Sequence, residues 1–189
     1  MAAVEGLVLI CGGSRSGKSG WAEHLASASG LPVLYLATAA ERPQDSVWCE
    51  RLERHRRRRP AHWACREVGA QLSAALAELQ QPQHPQAGHL LLIDSLGTWL
   101  AQHLEAEPGP WERIQQELLR ALRQCSNPVL LVCEEVGLGV VPATAVGNRF
   151  RDRLGELSQR LMAQSHDSWL VVAGRALNLH RLGQRVPEV

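Results

Sequence analysis

A chain of 189 residues, 45% of them hydrophobic, is long enough for one sizeable core, and nothing in its composition demands two. Twenty lysines plus arginines against nineteen aspartates plus glutamates leave a formal charge of +1, which excludes a global field for polyanions and leaves anion binding to local clusters. Five cysteines, odd in number and never spaced as C-x-x-C, argue against a disulfide framework and a zinc site. No basic n-region opens the chain, and no apolar run approaches the roughly 18 to 20 residues of a membrane span. The expectation is one domain over residues 1–189, cytoplasmic, with no membrane insertion and no nucleic acid as partner.

The first predicted element is a strand, "LVLIC" at 7–11, and "GGSRSGKS" at 12–19 follows it at once. Gly12, Gly17, Lys18 and Ser19 satisfy G-x-x-x-x-G-K-[ST] between that strand and the helix-like "SGWAEHLASAS". In such a loop Gly12, Gly13, Ser14, Arg15, Ser16 and Gly17 turn backbone N–H groups toward phosphates. Lys18 reaches the outer phosphates, and Ser19 is a ligand for Mg²⁺. An ordinary glycine turn is the bland alternative. "LPVLYLAT" at 31–38 reads as the second strand.

"CERLERHRRRRPAHW" at 49–63 is helical until Pro60 stops it, with Arg51, His55, Arg58 and Arg59 on one face. A solvated charge run and a nucleic-acid patch both fit that composition. So does a third reading. Arginines beside an imidazole disfavour its protonated form and neutralise a triphosphate, so His55 is a candidate nucleophile forming a phosphoramidate. A histidine packed behind Leu52 competes with this.

Further along, "QQPQHPQAGH" at 80–89 and "EAEPGP" at 105–110 read as surface loops. "LLLID" at 90–94 is a strand ending in Asp94, placed as a metal-side aspartate would be, or else capping a helix begun by "DSLGTW". Helical spacing joins Ile114, Leu118, Leu122 and Cys125, then Phe150, Leu154, Leu157 and Leu161. "VLLVC" at 129–133 and "SWLVVAG" at 168–174 are the remaining strands. "EVGLGVVP" at 135–142 is either a tight turn or a loop bringing Glu135 to the phosphates. Arg149 and Arg151 suit phosphate binding or a solvated helix face. Trp48, Trp63, Trp99 and Trp111 suit a substrate surface, with core or interface packing favoured for most. The alternation gives an α/β fold, a mostly parallel sheet with helices on both faces. No N-K-x-D stretch occurs, and Lys18 is the single lysine.

Taken together, "GGSRSGKS", "LYLATA", the R-L-x-x-H-R-x-x-R-P-x-x-W run of Arg51 to Trp63, "LLLIDSLGTWL", "EVGLGVVP" and "NRFRDRLGELSQRL" at 148–161 resemble the bifunctional adenosylcobinamide kinase/adenosylcobinamide-phosphate guanylyltransferase family over about residues 7 to 180. The resemblance implies a P-loop NTPase fold with a RecA-like core, trimers with nucleotide sites between subunits, and two reactions on one corrinoid. GTP or ATP phosphorylates adenosylcobinamide; GMP from GTP is then transferred onto adenosylcobinamide phosphate. It places the guanylyl-histidine on His55. Nucleotide contacts fall on Gly12 to Ser19, on Ala37, Thr38 and Ala39, on Arg56, Arg57, Arg58 and Arg59, on Glu67 and on Asp94, with Mg²⁺ at Ser19 and Asp94. The chain departs from the family pattern at Asp45 followed by "SVW", at Gln102, at "EEVG" and at a lysine missing from "LNLHRLG". A P-loop kinase of another small alcohol and a nucleotide-gated RNA- or partner-binding protein are the rival readings.

Overall fold

The computed structural model describes residues 4–40, 43–81 and 83–187; the side chain of Arg51, named above, lies outside what it describes. Seven strands form one sheet in the order β3-β2-β4-β5-β1-β6-β7. They are β1 (Leu7–Gly12), β2 (Val33–Ala37), β3 (Ala64–Glu67), β4 (Leu90–Asp94), β5 (Val129–Glu134), β6 (Asp167–Val172) and β7 (Arg175–Asn178). All neighbours pair in parallel except β6 and β7.

The helices are α1 (Lys18–Ala28), α2 (Ser46–Arg58), α3 (Leu72–Leu79), α4 (Leu96–Ala101), α5 (Pro108–Gln124), α6 (Ala145–Gln164) and α7 (Leu179–Leu182). Because successive strand residues face opposite sides, Leu9, Leu36, Ile93 and Leu131 pack with Leu76, Trp99, Leu118 and Leu157 of α3 to α6. On the reverse face, Ile10, Tyr35, Leu92 and Val132 pack with Ala22 and Ala26 of α1 and with Trp63. Burial on both faces is why the central strands read as unbroken apolar runs.

Two strands escaped the sequence reading, and each has a physical reason. β3, "ACRE", is four residues long and half-exposed, so it shows no apolar run. β7 follows a hairpin turn in which Ala173 (φ 48) and Gly174 (φ 73) are both left-handed, as a two-residue turn requires. The run expected to continue to 174 therefore ends at Val172. The loop expected at 105–110 is also shorter. Pro108 begins α5, where a fixed φ and a missing N–H suit the first helical turn.

Ends of elements set up the site. Asp45 caps α2 by accepting from the Trp48 N–H at 2.9 Å. At the other end Arg59 is extended (ψ 138), as the residue before a proline must be. Ser95, not Asp94, is the N-cap of α4, in a capping box with Thr98. That leaves the Asp94 side chain for other partners.

Candidate active site

The phosphate-binding loop leaves β1 at Gly12, which lies in register with Glu134 of β5 and Val171 of β6. A Cβ on Gly12 would stand 2.5 Å from Ser16 Oγ and 2.6 Å from the Val171 carbonyl oxygen, so only glycine lets the loop fold back this closely. Arg15 (φ 57) and Gly17 (φ 100) take left-handed conformations. The Gly174 N–H donates to the Ser16 carbonyl at 3.1 Å, tying the loop to the β6–β7 hairpin. Lys18 opens α1 and is only 6% exposed, its ammonium donating to the Gly13 carbonyl at 3.4 Å.

Lys18 and Ser19 line a cleft together with Ala37, Ala39, Trp48, His55, Arg56, Arg59, Glu67 and Asp94. Ends of the four adjacent strands β3, β2, β4 and β5, the last through Glu134, and one face of α2 thus meet over the loop. Thr38 does not face it. Fully buried, it donates to the Ser95 carbonyl at 2.7 Å, accepts from the Ser95 N–H at 2.7 Å and meets Thr98 Oγ1 at 2.6 Å, clasping β2 to α4.

Asp94 Oδ2 accepts from the Tyr35 hydroxyl at 2.9 Å and lies 3.7 Å from His55 Nδ1. Burial pushes the Tyr35 phenol far up, and the charge of Asp94 adds to this, so the phenol stays a donor. The arginines divide. Arg57 pairs with Glu53 at 3.0 Å, Arg58 with Glu23 of α1 at 2.8 Å and Arg56 with Glu67 at 2.7 Å. Arg59 stacks its guanidinium 3.6 Å over the Tyr35 ring and donates to Cys65 Sγ at 3.1 Å; its Nε–H is buried without an acceptor. Of the face expected to converge, His55 and Arg59 reach the cleft, whereas Arg58 is turned to α1.

Residues 8–179 match the family model for cobinamide kinase / cobinamide phosphate guanyltransferase. The chain belongs to this family. Among curated relatives of the cobinamide kinase family, the bifunctional adenosylcobalamin biosynthesis protein CobP of Pseudomonas aeruginosa is 38% identical over 172 residues, covering 90% of this chain and 95% of the relative. The bifunctional adenosylcobalamin biosynthesis protein CobU of Salmonella typhimurium is 32% identical over 182 residues, covering 89% of this chain and 96% of the relative. Solved structures reveal the fold alone at their low identity. An ATPase of a type III secretion system superposes with a TM-score of 0.55 at 12% identity, covering 95% of this chain and 59% of that one. A Pyrococcus horikoshii OT3 protein gives 0.56 at 5%, covering 95% and 87%.

In this member of the cobinamide kinase family, four cleft residues, Tyr35, Ser95, Thr98 and Glu134, escaped the sequence reading. Glu134 ends β5, accepts from Ser95 Oγ at 2.5 Å and from the Gly97 N–H at 2.8 Å, and faces the loop. An acid closing the strand beside β1 was the available signal. Tyr35 and Ser95 carried none. Glu135 turns away into its own loop, accepting from the Gly137 N–H at 2.6 Å and the Leu138 N–H at 3.2 Å, which is the tight-turn reading of "EVGLGVVP". Arg151 pairs with Asp152 and Arg149 with Glu105, away from the cleft. Trp63, Trp99 and Trp111 are buried core; Trp48 lines the cleft and donates to the Ala40 carbonyl at 2.9 Å.

Proposed function

We propose that this chain performs both reactions of its family: it phosphorylates adenosylcobinamide with GTP or ATP, then carries GMP from a second GTP on His55 to adenosylcobinamide phosphate. The observation that carries this reading is the shared cleft, in which an imidazole stands beside the lysine and serine of a phosphate-binding loop. A kinase of another alcohol needs no such histidine.

For the kinase step, backbone N–H groups of the loop and the buried Lys18 ammonium hold the outer phosphates and spread the charge that develops on the γ-phosphoryl group. Ser19 and Asp94 are the residues that would hold Mg²⁺. Their hydroxyl and carboxylate oxygens are hard donors, and a metal carried on phosphates needs only one or two protein ligands. Bound there, the ion neutralises phosphate charge.

For the transfer step, Asp94 on the Nδ1 side leaves the lone pair on Nε2 of His55. Nε2 attacks the α-phosphorus, pyrophosphate leaves, and the corrinoid phosphate later displaces the guanylate from the imidazole. Arg59 lines the cleft and brings a guanidinium charge to the phosphates. One nucleotide pose does not serve both a γ- and an α-phosphate, so the nucleotide binds differently between steps or α2 moves. Its build supports this, because none of its described side chains is buried. Pairing of Arg54, Arg56, Arg57 and Arg58 with glutamates weakens the RNA-binding alternative and supports a small-molecule substrate.

Incubation with adenosylcobinamide and GTP is expected to yield adenosylcobinamide phosphate, adenosylcobinamide-GDP and pyrophosphate by mass spectrometry. Phosphate product alone overturns the transfer half. A homotrimer is proposed as well, on the resemblance and on the exposed Val172, Leu177 and Leu182 along the β6–β7–α7 edge, an apolar surface suited to cover by another copy. Light scattering should return about three times 20.8 kDa; a monomer mass removes it. The cytoplasm is the proposed location. No helix among the described residues is long and apolar enough to cross a membrane.

A further inference from the structure

Tyr35 is the chain's single tyrosine and sits in the middle of β2, 2% exposed, where packing alone would accept any large apolar side chain. Yet it makes two polar contacts. Its hydroxyl donates to Asp94 Oδ2 at 2.9 Å, and the same oxygen stands 3.7 Å from His55 Nδ1. On the ring face, Arg59 from the end of α2 lies 3.6 Å from the centroid. One buried ring therefore touches the histidine helix twice, once through Arg59 and once through the carboxylate that faces the imidazole.

We propose that Tyr35 is a positioning residue for guanylyl transfer: its hydroxyl fixes the Asp94 carboxylate toward Nδ1 of His55, and its ring seats Arg59, so that α2 presents Nε2 to the α-phosphate. This rests on the guanylyl-histidine reading above. The balance of the step is simple. The Nε2 lone pair forms the N–P bond, the bond from the α-phosphorus to the bridging oxygen breaks, and its electrons leave with pyrophosphate. Nδ1 keeps its proton, and the charge gained by the ring is met by the carboxylate. When the corrinoid phosphate attacks, the N–P electrons return to Nε2.

A separation of 3.7 Å is outside hydrogen-bond range, so a small rotation of the carboxylate changes its contact with the imidazole. Tyr35 sets that rotation by occupying Oδ2. Were Mg²⁺ held by Asp94 for phosphoryl transfer, it would orient the same carboxylate, and the Tyr35 hydroxyl would matter less there. The two activities should therefore respond differently to its removal.

Tyr35→Phe keeps the ring, and with it the Arg59 seat and the core volume, and deletes only the hydroxyl. With α-labelled GTP, the initial rate of acid-labile protein labelling should fall about 10–100-fold, the range for residues that orient a reacting group through another. The KM for GTP should stay within about twofold, since no ground-state contact is lost, and corrinoid phosphorylation should keep most of its rate. Labelling at the wild-type rate overturns the proposal, and so does a parallel loss of both activities with a lowered thermal midpoint. Wild-type protein that takes no label refutes the guanylyl-histidine reading itself, independently of any variant, and the proposal with it. A second measurement leaves the fold untouched. Because there is one tyrosine, 3-fluorotyrosine labels this ring alone, and its fluorine resonance should move when His55 is guanylylated. A resonance unchanged by guanylylation sinks the coupling.

Discussion

Replacing His55 with alanine abolishes the acid-labile, alkali-stable label that α-labelled GTP leaves on the protein, while adenosylcobinamide is still phosphorylated. The asymmetry follows from what each step asks of the cleft. Guanylyl transfer through the protein needs a nitrogen nucleophile, and in the cleft His55 is the group facing Lys18 and Ser19 that provides one at neutral pH. Phosphoryl transfer asks for charge stabilisation and in-line placement, which come from the loop, Lys18 and Ser19. His55 is half-buried at the cleft mouth, so its truncation opens no core cavity and leaves the fold intact. Label that persists on the alanine variant removes His55 from the role. Coincident loss of both activities at unchanged stability would falsify the division of labour.

Substituting Lys18 by alanine lowers corrinoid phosphorylation by about 10²–10³-fold, the loss typical of removing one preorganised donor from developing charge. Folding stability should change little or rise. Lys18 is only 6% exposed and its ammonium has, among the described residues, one long hydrogen bond, 3.4 Å to the Gly13 carbonyl, so without a phosphate it is a desolvated charge with poor compensation. Lys18→Arg does not rescue, because a planar guanidinium does not fit where a compact ammonium is enclosed by the loop. Activity and thermal midpoint measured on the same samples separate the catalytic loss from a structural one. A collapse of stability that accounts for the lost activity defeats the argument.

Much of this was legible in the chain. The loop was fixed by glycines whose spacing has a steric reason, visible at Gly12, where the Val171 carbonyl leaves no room for a Cβ. β1, β2, β4 and β5 announced themselves because both their faces are covered, and β6 by its apolar run although it is only partly covered; β3 and β7, at the two edges, lacked that signal. The helix around His55 was readable from Pro60, but how its arginines sort was not. Whether Arg58 meets a phosphate or Glu23 depends on where α1 lies, which is a matter of tertiary packing. Asp94 was read at a strand end correctly, while the choice between cap and cleft turned on Ser95 taking the cap. Glu134 and Tyr35 enter through register, since parallel pairing carries β5's last residue level with Gly12 and Tyr35 level with Leu92, two positions before Asp94.

The histidine helix and the loop it serves are fastened by different kinds of bond. β1 is laced to β5 and β6 by main-chain pairing, whereas α2 is pinned chiefly by side chains, among them the half-exposed pair Arg56–Glu67 and the pair of half-exposed Arg58 with the more buried Glu23. Dissolved ions weaken such pins and leave the lacing untouched. On the proposed reading, ionic strength is then a throttle on how freely a guanylate carrier at His55 would swing, acting on the carrier and not on the seat beneath it.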